Sequence, residues 1–539
     1  MLRRLAASSS GTLVAWLLAF FGGVAVHAFD ERIWLAAGYW LAAAGCFLVA
    51  LIALRPRPVP RLLAGAALMF ALALWRFDAA IPAADPPDEP VLVATELVGT
   101  VSREQRIMSD SATLDLDRVF VCDRTAVGQR DLSALADGGS AADGSCRPLA
   151  GVLRLRARAW PIFAYGEVLR WRCLPVRVGL NSGDPFDAQA WLDGVRWRCS
   201  TREPLAAIAA SERSLPRQLL YGLRSRIRLS VGRLLPEPEA SFLLGLLIGD
   251  RDGLPPDLVA AFRSTGTSHI LAVSGYNVAR VAEIFLLLFA AATVRRRRAA
   301  CFSLAGVLIF AVVAGAEASV IRAAAMGCTA LVATVVGRRY SATAALSLAA
   351  SAMLAFDPLL LRHDVGFQLS FAAVLGLHGL GEPLAKRLTF LPEFLGIRRS
   401  AGETLGATLA TLPIIILAFG RVPLLGPVAN LLILPLIPWI MALGAGGIIL
   451  AAFWFSVGQL PALAAVWLLR VIETIIGFLA SLPFSVELQA GPLGCSMIAG
   501  WILLLWYALV KAKPIPLRRP PLPAGLEIEV IEYGSKLQK

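Results

Sequence analysis

The chain has 539 residues, of which 57% are hydrophobic and 17% charged, and its formal net charge is +13. Soluble domains carry about a quarter charged residues, so this composition excludes an ordinary soluble protein and predicts a polytopic α-helical membrane protein. The positive excess is first a matter of topology, because cytoplasmic loops collect Lys and Arg. An anionic ligand is the sharper alternative.

The first apolar run, "GTLVAWLLAFFGGVAVHAF", follows "MLRRL" and resembles a signal peptide. Two further apolar runs follow closely and no A-x-A site ends the first, so it reads as a retained span. Residues 1–81 are thus expected to form about three transmembrane helices. Arg3 and Arg4 precede the first span, and Arg55, Arg57 and Arg61 separate the second from the third. This pattern puts the N-terminus inside, and the Pro-rich linker "PAADPPDEP" outside.

Residues 91–203 change character. "GVLRLRARAW" alternates strictly, so Arg154, Arg156 and Arg158 share one strand face that continues to Trp160. "EVLRWRCLPVRV" repeats the pattern with Arg170, Trp171 and Arg172, and "GVRWRC" reads as a last strand carrying Trp197. The expectation is an inserted extracytoplasmic β domain of roughly five strands. Within it, "DRTAVGQRDLSALADGGSAADGS" reads as an exposed insertion. Outside the cytoplasm disulfides are permitted. Cys122–Cys146 would close the insertion and Cys173–Cys199 would tie neighbouring strands; buried reduced thiols are the alternative, and no C-x-x-C pair points to zinc.

Residues 204–240 read as an amphipathic basic helix, with Arg217, Arg224, Arg228 and Arg233 suited to a membrane surface. Residues 241–512 are apolar again, a multi-helix domain, and 513–539 form a tail expected on the cytoplasmic side. "RRRR" at 295–298, "GRRY" at 337–340 and Lys386, Arg387, Arg398 and Arg399 mark successive inside loops.

Polar residues interrupt this domain where lipid would reject them. "GDRDGLPPDLVAAFRSTGTSH" supplies Asp250, Arg251, Arg263 and His269; as irregular backbone it must line a water-filled space or be buried in protein. In the run that follows, Tyr276, Arg280 and Glu283 share a narrow helical arc with His269, and Ser274 and Asn277 lie beside it. Glu317, Arg322 and Gln368 follow in later spans. A polar passage is one reading of this set, and hydrogen-bonded helix glue is the other.

Three stretches, "GDRDGLPPDLVAAFRSTGTSHILAVSGYNV", "ASVIRAAAMGCTALVATVVGRRYSATAALSLAASAMLAFDP" and "DVGFQLSFAAVLGL", resemble the ComEC family of competence DNA-uptake channels. The β domain, with its "NSGDPFD" turn before "GVRWRC", is similar to that family's OB-like extracellular barrel. The resemblance implies passage of single-stranded DNA through the bacterial inner membrane during natural transformation, with no catalytic residues, metal or cofactor in this channel. Two departures stand out. The family has Leu-His after Ser-Gly where this chain has Tyr276-Asn277, which removes an imidazole. With four histidines in all, the chain also has no H-x-H-x-D-H signature, so the expected form lacks the family's metallo-β-lactamase-like nuclease domain.

Single strands are bound by basic grooves with aromatic platforms. Arg154, Arg156, Arg158, Arg170 and Arg172, with Trp160, Trp171 and Trp197, are the candidates for such a surface. No G-x-x-x-x-G-K-[ST] loop occurs, so a separate motor ATPase, DNA receptor and nuclease are the expected partners. The competing readings are a transporter of another solute, a degenerate relative that no longer moves DNA, and an intramembrane hydrolase using Ser274 with His269. The last requires a hydrogen bond that five residues of helix place out of reach.

Overall fold

The computed structural model describes parts of 15–24, then 58–78, and, with short breaks, 95–122, 146–210 and 214–487. The first two expected spans lie largely outside the described residues, as do most of the insertion, Trp160, Glu317 and the tail. The third expected span is α1, Pro58–Asp78.

The alternating segment folds as one sheet of nine strands: β1 Thr95–Val101, β2 Arg106–Met108, β3 Ser111–Cys122, β4 Cys146–Leu149, β5 Val152–Arg158, β6 Glu167–Cys173, β7 Val176–Arg177, β8 Val195–Ser200 and β9 Ala206–Ala210. A short helix, α2 Pro185–Leu192, precedes β8. The pairing order is β7-β8-β5-β3-β1-β6-β9, with β2 and β4 also on β3. All described pairs are antiparallel except β5 with β8.

Two corrections to the expectation follow. The strand count of about five is an undercount, because breaks divide long strands. β1 and β2 lie end to end along one side of β3, and β4 and β5 along the other, where Gly151 turns the chain at φ +91°. The barrel is also not closed: among the described pairs β7 and β9 each have a single partner, so the sheet has two edges.

One face of the sheet carries the core, with Leu97, Leu114, Leu116, Leu153, Leu155, Leu169 and Trp171 all buried. Gly99 makes room for it, since a Cβ there would sit 3.1 Å from the Trp171 ring and 3.0 Å from Val119. The two disulfides are Cys122–Cys146, across the base of the insertion, and Cys173–Cys199.

Among the described residues thirteen helices and a 3-10 turn follow the sheet: α3 Leu215–Leu234, α4 Glu239–Ile248, α5 Pro256–Ser264, the turn Ser268–Ile270, α6 Gly275–Ala291, α7 Arg296–Val313, α8 Ala318–Val336, α9 Ala342–Phe356, α10 Leu360–His363, α11 Val365–Arg387, α12 Ile397–Phe419, α13 Gly426–Ile433, α14 Ile437–Phe453 and α15 Phe455–Ala480. Among the described residues α8, α12 and α15 are long and apolar enough to cross a membrane. α13 and α14 together make a fourth candidate, bent by 45°. The bend falls at Pro435, which removes a backbone donor and crowds the preceding turn.

A short strand pair, β10 Arg421–Pro423 with β11 Ser485–Glu487, joins the start of α13 to the end of α15. α11 and α12 form a close hairpin through glycine, because a Cβ on Gly376 would fall 2.2 Å from the carbonyl of Gly406. Three apolar cores organise the helices. One gathers α3, α4, α5, α13, α14 and α15, a second α6, α7 and α8, and a third α9, α10 and α11 with Ala73 of α1.

Candidate polar passage and basic sheet face

The chain between α4 and α6 is broken twice. α4 ends at Gly249 in the left-handed region (φ 76°), and α5 ends before Gly266 (φ 72°). Neither α4, of 10 residues, nor α5, of 9, is long enough to cross a bilayer alone. Helix ends then fall inside the protein, where their last carbonyls have no intrahelical partner.

Much of the polar inventory serves those ends. Asn277, 2% exposed, donates from Nδ2 to the carbonyl of Leu246 in the last turn of α4 at 3.3 Å. Tyr276 donates its hydroxyl to Leu434 at the end of α13, also at 3.3 Å. Arg224 reaches Val313, the last residue of α7, at 2.7 Å. Gln368 donates to Leu361 and Arg362, at the end of α10, at 2.7 and 3.0 Å. Arg76 reaches Ala355 at the end of α9 at 2.7 Å. Cations and amides at helix C-termini satisfy orphan carbonyls, and the cations also oppose the negative end of the dipole.

Gln368 and Asn277 thus each close a helix end. Ser274 hydrogen-bonds Asn277 at 3.3 Å, and among the described hydrogen bonds none joins it to His269. Arg322, 6% exposed, donates to the carbonyl of Ser370 on α11, and its other nitrogen lies against Gly275, where a Cβ would sit 2.5 Å away. It therefore pins α8, α11 and the start of α6 together. Asp250 is buried and accepts from Nε of Arg228 at 2.8 Å. Arg280 pairs with Glu283 and lies over the ring of Tyr276 at 5.2 Å.

Arg251, Arg263, His269 and Glu283 are exposed. His269 lies on the 3-10 turn Ser268–Ile270, within the second break, between α5 and α6.

On the sheet, Arg154, Arg156 and Arg158 lie on the face opposite the core, and Arg198 of β8 is in register with Arg154. Acidic residues occupy several of these cations. Asp115 accepts from Arg154 at 2.7 and 3.0 Å, Glu96 from Arg170 at 2.7 and 2.6 Å, and Asp187 from Arg198 at 2.7 Å. Burial alone would push the Arg154 guanidinium down, but Asp115 and then Asp193 outweigh it and hold it up. Arg156 and Arg158 are exposed, and Arg172 is held only at 3.9 Å from Glu96.

Trp171 is 3% exposed and donates its indole N–H to Cys173 Sγ at 3.3 Å, so it belongs to the core and offers no stacking platform. Trp197 is half-buried and donates to Ala150 at 3.0 Å. The sequence reading missed the acids that neutralise this face and the stacking of Arg196 on Trp191, 3.9 Å from the ring centroid. Strand pairing brings Asp115 beside Arg154 and Glu96 beside Arg172, which spacing along one strand does not show.

Sheet domain and apolar helices together define a multi-pass membrane protein with a β domain inserted before its main helical bundle. Residues 246–514 match the model of the family described as Competence protein, so the chain is a ComEC-like protein. Over 246 residues it is 27% identical to ComE operon protein 3 of Bacillus subtilis (strain 168), a match that spans 45% of this chain and 30% of that relative. No solved structure matches.

Proposed function

We propose that this protein is a conduit for single-stranded DNA in the bacterial inner membrane during natural transformation, with the β domain on the outer side as its entrance. The observation that carries the reading is the exposed position of His269 on the broken segment between α4 and α6, within the stretch that matches the competence family. Arg251, Arg263 and Arg280 follow the same broken segment and suit a polyanion. Arg156, Arg158 and Arg172 of the sheet supply a first contact with phosphate. The channel performs no covalent chemistry, and force on the strand comes from a separate motor ATPase. A separate receptor and nuclease deliver and trim the DNA.

The test is transformation of a strain deleted for this gene with radiolabelled DNA, separating surface-bound from internalised label. Internalised label falling to background while bound label persists supports the conduit; normal internalisation refutes it.

A second reading, a transporter of a smaller solute, is favoured by one observation. Acidic partners neutralise Arg154, Arg170 and Arg198 on the sheet face, which weakens it as a DNA surface. Binding of single-stranded oligonucleotide to the protein, falling steeply with salt, distinguishes the two.

A further inference from the structure

Arg470 and Glu473 stand one turn apart in α15, an apolar helix of 26 residues. Nε of Arg470 donates to Oε1 of Glu239, the first residue of α4, at 2.5 Å. Glu239 is 3% exposed, and its other oxygen, Oε2, is buried with no hydrogen-bond partner. Oε1 of Glu473 is likewise buried without a partner, and Glu473 lies within electrostatic reach of both Glu239 and Arg470. Their sequence neighbours Phe242 and Leu243 on α4 and Leu469, Ile472 and Ile476 on α15 are buried and apolar, while Glu473 is half-buried and Arg470 exposed.

The groups on every packed neighbour leave this balance unchanged. On α3, Arg224 is held by Val313, Arg228 by Asp250, and Arg233 is exposed. Before α4, Glu237 accepts from the amide of Ser241 at 3.2 Å. On α5, Asp257 and Arg263 are exposed. α13 and α14 carry no ionisable residue, and α13 contributes Asn430, whose Oδ1 is itself unpartnered.

Two carboxylates and one guanidinium would leave one net negative charge, and two of the carboxylate oxygens are buried without a donor. Both conditions disfavour double ionisation. One added proton removes both. The trio becomes neutral overall, and the new O–H supplies a donor where acceptor oxygens stand idle. We infer that Glu239 and Glu473 form a proton-binding site at the seam of α4 and α15, holding one proton between them while Arg470 balances the remaining carboxylate. The step is a single protonation, carboxylate plus proton giving carboxylic acid, with no other reactant. Loss of that proton would restore a net negative charge at the start of α4, the helix that leads into the Gly249 break. The site is independent of what the protein transports.

Infrared spectroscopy of the full chain in lipid nanodiscs tests this. At neutral pH the wild-type protein should show the carbonyl band of a protonated carboxylic acid, shifting in D2O. Glu239→Gln and Glu473→Gln should each abolish it, because a single remaining carboxylate is balanced by Arg470. Arg470→Gln should strengthen it about twofold, since each unbalanced carboxyl then takes its own proton. Glu283→Gln should leave it unchanged. A wild-type protein without the band overturns the inference, as does a band that survives both carboxyl variants. A band that sodium ions abolish at constant pH assigns the site to an alkali cation and also overturns it.

Discussion

Arg228 of α3 and Asp250 of the break after α4 form one ion pair, with Nε donating to Oδ2 at 2.8 Å, and it fastens the basic helix to the polar segment that follows. The two ends are unequal: the Asp250 side chain is 8% exposed and that of Arg228 is 38% exposed. Arg228→Ala therefore takes the cation from a buried carboxylate, while Asp250→Ala leaves a cation that water can reach. The expected loss for Arg228→Ala is about 1–3 kcal/mol, below the ~3–5 kcal/mol of a fully enclosed pair, because solvent screens the exposed partner. Thermal unfolding in detergent should rank Arg228→Ala as the more damaging change. Equal stability of both variants and wild type would refute the clasp.

The sheet separates stability from binding. Trp171→Ala should destabilise the β domain by about 3–5 kcal/mol, as truncation of a buried aromatic does. Arg156→Ala, Arg158→Ala and Arg172→Ala should leave its melting temperature unchanged and weaken single-stranded oligonucleotide binding. Each should reduce the salt slope by about 0.7. Retained affinity in the triple variant would remove the sheet face as the entrance.

The disulfides close loops with sequence separations of 24 and 26 residues. Chain entropy assigns each about 3–4 kcal/mol. Cys173→Ser with Cys199→Ser should lower the melting temperature of the domain, and reductant should reproduce the loss in wild type. Mass spectrometry of unreduced peptides should return the pairs Cys122–Cys146 and Cys173–Cys199; any other pairing contradicts the structure.

Asp117 of β3 gives a pH test outside the membrane. Burial pushes its carboxyl up, against the lowering pull of Arg118 and Arg217. The folded state then holds the proton more tightly than the unfolded chain, so this contribution is present at low pH and is lost as pH rises through the folded value. Asp117→Asn should leave neutral-pH stability equal or higher and flatten its acid dependence. A fall in neutral-pH stability would contradict the assignment.

The membrane class, the β segment and the cysteine pairing were legible in composition, alternation and spacing. So was the broken segment, because "GDRDG" and "STGTSH" cannot continue a helix in lipid. The tasks of Asn277 and Gln368 were not, since an amide in an apolar run reads the same whether it faces water or another helix's last carbonyl. Trp171 and Arg172 are adjacent in sequence and point to opposite faces, and only pairing with β1 shows which face is core. The Glu239–Arg470–Glu473 group spans 234 residues of sequence separation; its one local signal is an Arg-x-x-Glu in an apolar run.

The central claim is that the α4–α6 segment borders a wet passage through which DNA moves. Its most direct test is His269→Cys in a full-length background with Cys46, Cys301, Cys328 and Cys495 replaced by Ser, labelled in membranes by a charged, impermeant thiol reagent. Rapid labelling that single-stranded oligonucleotide slows is the result this account requires. Position 269 reacting only with apolar reagents, or reacting equally with and without DNA, would contradict it.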